Sequence, residues 1–186
     1  FDVQVHFVGE DYPTPDMLLG LRRKARDWNP ELRERQTADD IKFDNFYREI
    51  FRESQTKMAV LSNAPNDDRK KWFLTNEQAL GARRRVNEIA GAPVLLAHAV
   101  FTPGQPGWLD EIDRMIALKP DGWKGCTLGD PSGDSKYFWR LNDRGLVYPA
   151  LERLEKAGFR NICIHKGLLP AGYRDKLSEA QIACAG

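Results

Sequence analysis

His6, His98 and His165 are the only histidines in the chain, and two of them close short apolar runs. His6 follows Asp2-Val3-Gln4-Val5, and His165 follows Asn161-Ile162-Cys163-Ile164. Neutral imidazole is a common ligand for Zn2+ and similar ions. Two such ligands on different strands converge only if the sheet that carries them closes or curls. Side chains alternate along a strand, so Asp2, Gln4 and His6 share one side while Val3 and Val5 take the other. Three polar groups facing an interior are costly unless they bind something; the alternative is an edge strand with a solvated polar face. His98 lies late in Leu95-Leu96-Ala97-His98-Ala99-Val100, where it either faces a cavity or is a structural histidine hydrogen-bonded near the strand end.

Five apolar runs are the elements that must position these groups: Val3 to Val8, Met58 to Leu61, Pro93 to Val100, Trp123 to Leu128 and Asn161 to His165. Helical periods fill the gaps. Asp39 or Asp40 caps a helix with Phe43, Phe46, Tyr47, Ile50 and Phe51 along one stripe. Thr75 or Asn76 starts a second, with Ala79, Ala82, Val86 and Ile89 on its inner side and Gly91 as its stop. Trp108 to Leu118, ended by Pro120, buries Leu109, Ile112 and Ile116. Tyr148 to Ala157 accepts Pro149 in its first turn, buries Leu151 and Leu154, and ends at Gly158. The alternation β, α, β, α predicts a parallel sheet covered by helices. Doubly wound sheets and (β/α)8 barrels share this order, and both place chemistry at the C-terminal ends of their strands. The two strand-end histidines favour the barrel, with consecutive strands side by side in the order 1-2-3-4-5.

Of the 186 residues 41% are hydrophobic and 30% charged, an ordinary soluble balance. With 28 basic and 27 acidic residues the net charge is +1, so no summed field draws nucleic acid or an anionic membrane. No apolar stretch approaches the roughly 20 residues of a membrane span. Cys126, Cys163 and Cys184 are odd in number and widely spaced, which points to a reducing cytoplasmic compartment. Cys163 shares the face of His165, as a small packing thiol. Neither a nucleophile elbow nor a phosphate-binding glycine motif occurs. The Arg83-Arg84-Arg85 and Lys70-Lys71 runs read as solvated helix faces.

Asp2-x-Gln4-x-His6 resembles the Asp-x-His-x-His pattern that opens the amidohydrolase superfamily, and Gly122-Trp123-Lys124-Gly125-Cys126 resembles its fourth-strand Gly-x-Lys-Gly pattern. Val147-Tyr148-Pro149 through Ala157-Gly158, with Ile164-His165-Lys166-Gly167 after it, is similar to the next helix and metal-binding strand of the amidohydrolase 2, decarboxylase-like branch. The resemblance implies an α/β fold, a partial (β/α)8 barrel of about five parallel strands with outer helices. It implies one incomplete barrel domain over residues 1–186, a fragment lacking the C-terminal strands and the late aspartate of the family. Residues 12–55 are then a long insertion after strand one, expected to act as a lid over the mouth near His6.

The resemblance further implies a divalent metal, Zn2+ by the family pattern, on His6, His165 and the Gln4 position. Lys124, His98 and Asp130 are its substrate-binding candidates. Lys124 is read as a substrate-carboxylate partner or buried structural cation, and Asp130 as a substrate contact, a hydrogen-bond partner of a ligand histidine or a turn carboxylate. The implied activity is metal-dependent hydrolysis of a small carbonyl or carboxylate compound through metal-activated water. A non-oxidative decarboxylase of the same family is the alternative. Gln4 opens another reading, because an amide oxygen is a poorer Zn2+ ligand than imidazole: a degenerate barrel that binds a ligand or partner without catalysis. An open α/β binding module with coincidental histidines is the third. The expected partner is a small-molecule substrate, with homo-oligomerisation left open.

Overall fold

The computed structural model describes residues 1–13, 19–20, 37–131, 134–166 and 176–185. Among them, β1 (Asp2–Val5), β2 (Ala59–Leu61), β3 (Leu95–Val100), β4 (Gly122–Cys126) and β5 (Ile162–His165) form one parallel sheet in the order β1-β2-β3-β4-β5. Outside it lie α1 (Phe43–Tyr47), α2 (Asn76–Ala90), α3 (Trp108–Ala117) and α4 (Tyr148–Lys156), and α5 (Glu179–Ala185) follows β5 with Cys184 packed on Cys126 and Leu128. Each strand lies beside its predecessor, even across the long connection between β1 and β2, so the sheet grows in chain order. The sheet is curled. The Lys124 ammonium on β4 reaches the Gln4 side-chain oxygen on β1 at 3.5 Å, whereas in a flat sheet their strands would run about 14 Å apart with the two side chains side by side. The fold is an α/β partial barrel.

Burial follows the two faces of that curl. Val5, Ala59, Leu61, Leu95, Ala97, Ala99 and Trp123 point to the helices and join Val86, Ile112, Met115, Ala150 and Leu154 in one core. These strand residues come from alternate positions, which leaves Gln4, His98, Lys124 and Cys163 for the concave face. A register irregularity between Asp2 and Val5 interrupts the alternation in β1, and the Asp2 carboxylate turns back to accept from the Gln4 backbone N–H at 3.0 Å.

Local signals set the helix ends. Thr75 and Gln78 make a reciprocal capping box at the start of α2, and Gly91 closes it in the left-handed region at φ 65°. The inner stripe of α2 differs from the expected one: Leu80 is buried, whereas Ile89, in the last turn of the helix, is 55% exposed. In α3, Met115 joins Ile112 in full burial, with Leu109 and Ile116 at the margin. The Phe43 stripe is not one α-helix. A 3-10 turn, Asp39–Ile41, leads into α1, and a π turn, Arg48–Arg52, follows it. The wider turn brings Phe46 and Phe51, five residues apart, into edge contact. Lys42, and neither Asp39 nor Asp40, stands at the helix start, with its ammonium on the Gly9 and Glu10 carbonyls.

Candidate functional site

The concave face carries a directed chain of hydrogen bonds. His6 Nδ1 lies 2.9 Å from the Ser62 carbonyl, which can only accept, so Nδ1 holds the proton. His6 Nε2 therefore presents its lone pair, and the Gln4 amide N–H donates to it at 3.1 Å. The Gln4 oxygen in turn faces the Lys124 ammonium across a long 3.5 Å contact. Lys124 also donates to Cys163 Sγ at 3.3 Å. Every donor and acceptor in this series has one consistent sense, from Lys124 through Gln4 and His6 to the backbone of β2.

His98 enters from β3. Its Nδ1 lies 3.0 Å from the Ser62 hydroxyl, so Ser62 binds His98 by its side chain and His6 by its carbonyl. The ring rests on Gly122, its partner in the β3–β4 ladder. A Cβ at Gly122 would stand 3.0 Å from His98 Cδ2, so the first glycine of Gly-x-Lys-Gly makes room for this imidazole. The second, Gly125, makes room on the helix side, where a Cβ would meet Phe101 and Trp139 at 2.9 Å.

Electrostatics keep the three rings neutral. Burial lowers the pKa of His6, and the Lys124 ammonium and His165 lower it further, against the Ser62 carbonyl and Asp2, which raise it. Burial and then Lys124 lower His98, with Asp121 opposing. Burial and then Lys124 lower His165. Solvent reaches His6 and His165 through the open side of the curl and moderates these effects. Lys124 is 5% exposed, and among the described residues no carboxylate pairs with its ammonium.

The curl thus gathers Gln4, His6, His98, Lys124 and Cys163 by direct contact, and brings His165 close enough that protonating it would disfavour protonation of His6. Asp130 is placed differently. It is buried in the loop after β4, where it accepts from Asn66 Nδ2 and the Asp134 N–H at 3.3 Å each. Those bonds fit a loop carboxylate. Much of the insertion expected over 12–55 lies outside the described residues; its described end packs on the segment after β1, with Phe7 stacked on Phe46 and edge-on to Phe43. Ser62 was not among the sequence candidates. The available signal was its position: the first polar residue after the β2 run, at the C-terminal end of a parallel strand.

Two neutral imidazoles, one oriented through its far nitrogen by a backbone carbonyl, are donor chemistry that suits a divalent metal. Among the described residues, however, no group of three or more His, Cys, Asp or Glu side chains is arranged to hold a metal ion. Nor is any helix of the described residues long and apolar enough to cross a membrane. Comparison of the chain with protein-family models, with curated proteins and with solved structures returns no match.

Proposed function

We propose that the concave face is the active site of a metal-dependent hydrolase of amidohydrolase type, acting on a small carbonyl or carboxylate compound. The observation that carries this reading is the lone pair on His6 Nε2, fixed by Ser62 at the C-terminal end of β1, with neutral His165 nearby. His6 and His165 would hold the ion, with the Gln4 oxygen a further donor once released from Lys124. A divalent ion held there would supply the Lewis acidity that activates water near neutral pH. The chain's own residues do the rest. Lys124, buried and without a carboxylate partner among the described residues, attracts the carboxylate or developing oxyanion of the substrate. His98, held by the Ser62 hydroxyl, would accept or return a proton beside it. A non-oxidative decarboxylase would use the same groups.

One observation favours a second reading, a ligand-binding barrel without metal. Gln4 already spends its amide N–H on His6 and its oxygen on Lys124, so the third ligand position is engaged within the protein itself. Metal analysis of the purified protein decides between them. The enzyme reading expects about one tightly held divalent ion per chain, lost together with turnover in His165→Ala while the far-ultraviolet circular dichroism is unchanged. Undiminished turnover by metal-free protein would remove the metal from the assignment. Absence of both metal and turnover would favour the binding barrel.

A further inference from the structure

A second polar recess opens beyond the ends of β4 and β5. It measures about 180 Å³ and is lined by Thr127, Arg140, Asn142, Lys166 and Cys184, with Leu141 and Ala183 at its edge. Thr127 and Lys166 immediately follow β4 and β5, where parallel strands present their loops to ligands. We propose that this recess is a binding site for a phosphate group, either free or carried on a small ester.

Three features support it. The first is an orphaned donor. Thr127 is 2% exposed, and its hydroxyl has no hydrogen-bond partner among the described residues, although a buried hydroxyl left unpaired is costly. Its backbone cannot shift to find one, since its N–H donates to the His165 carbonyl at 3.3 Å and its carbonyl accepts from Trp139 N–H at 2.8 Å. The second is charge. Arg140 and Lys166 bring two cations to one wall, and among the described residues neither has an ion-pair partner. The acid whose charge reaches this wall, Asp143, acts on Cys184 against Arg140 and is itself occupied, with Oδ1 accepting from Leu146 N–H at 2.8 Å. The third is donor type. A guanidinium, an ammonium, a hydroxyl and the Asn142 amide supply many N–H and O–H groups and no carboxylate, which matches the charge of about −1.5 to −2 and the several acceptors of a phosphate near neutral pH.

None of the side chains lining the recess is one of the proposed metal ligands His6, His165 and Gln4, although Lys166 follows His165 and Thr127 N–H bonds the His165 carbonyl. Titration of the protein with inorganic phosphate, followed by calorimetry at constant ionic strength, tests it. Saturable one-to-one binding is expected, weakened about tenfold in Thr127→Val and at least as much in Arg140→Gln. Thr127→Val keeps the shape of the side chain and removes a buried orphan, so it should fold at least as firmly as the parent. Arg140 is exposed, which makes its replacement safe for folding. Absence of saturation at millimolar phosphate, equal affinity for acetate, or unchanged affinity in both variants would each overturn the assignment. Metal content measured on the same variants separates a failure here from a failure of the metal site.

Discussion

Gly122→Ala asks whether the backbone of β4 was left bare to seat His98. The added methyl would lie 3.0 Å from His98 Cδ2, 3.2 Å from Nε2 and 3.3 Å from the Asn161 carbonyl oxygen. Carbon contacts are ordinarily about 3.5–4.0 Å, so the ring must give way while β3 and β5 pin the strand on both sides. Overpacking of this kind costs about 1–3 kcal/mol. Against it stands a gain of about 0.4–1 kcal/mol from restricting the unfolded chain, since Gly122 is not among the positive-φ glycines. The predicted net loss is about 1 kcal/mol, or about 2–4 °C in Tm for a chain of this size. Gly81→Ala is the control. It lies inside α2 with nothing within 4 Å of the new methyl, so only the gain applies, about 0.5–1 kcal/mol. Urea unfolding of the two variants, with histidine ring resonances recorded by NMR, gives the comparison. If Gly122→Ala stabilises as Gly81→Ala does and the His98 resonances stay put, the steric argument fails.

Acid should weaken the fold through its histidines. All three have folded pKa values below 6.5, so beneath that pH the unfolded chain binds more protons and stability drops as pH falls through 6.5. The urea midpoint should be higher at about pH 7.5 than at about 5.5, with a shallower dependence in His98→Asn; a midpoint that rises on acidification contradicts the assignment. Asn63→Ala should cost about 2–4 kcal/mol, because buried Asn63 accepts from Ala64 and Leu74 N–H at 2.8 and 2.9 Å and donates to the Leu74 carbonyl. A loss below about 1 kcal/mol would show that water replaces those bonds. Thr75→Ala should cost about 1 kcal/mol by opening the α2 capping box, and an unchanged unfolding midpoint would deny the cap that role.

What the sequence made legible was local. Alternation in the strands, the Thr75 start and Gly91 stop of α2, and the strand-end positions of His6 and His165 all follow from residues within one turn or one strand of each other. The order of β2 to β5 follows too, because the shorter crossovers between them leave few alternatives. What stayed hidden depends on residues distant in the chain. Ser62 meets His98 across 36 positions. Asp67 accepts from Ser135 Oγ and the Lys136 N–H, a tie between the loops after β2 and β4 that spans 68 and 69 positions. No periodicity encodes such pairs. The π turn after α1 was equally invisible, since the aromatic stripe fits α spacing until the ring contacts are seen.

The contact from Lys124 to Gln4 has a kinetic consequence. Each strand can dock on the edge left by the one before it, so most of the sheet is assembled from neighbours in the chain and pays little loop-closure entropy at each step. Gln4 and Lys124, in contrast, are 120 positions apart, and they meet only after β2 and β3 have been laid between them and the sheet has bent. The polar chain from Lys124 to His6 is then among the last native interactions to form in refolding. Substitutions in it should leave the folding rate almost untouched and appear chiefly in the unfolding rate.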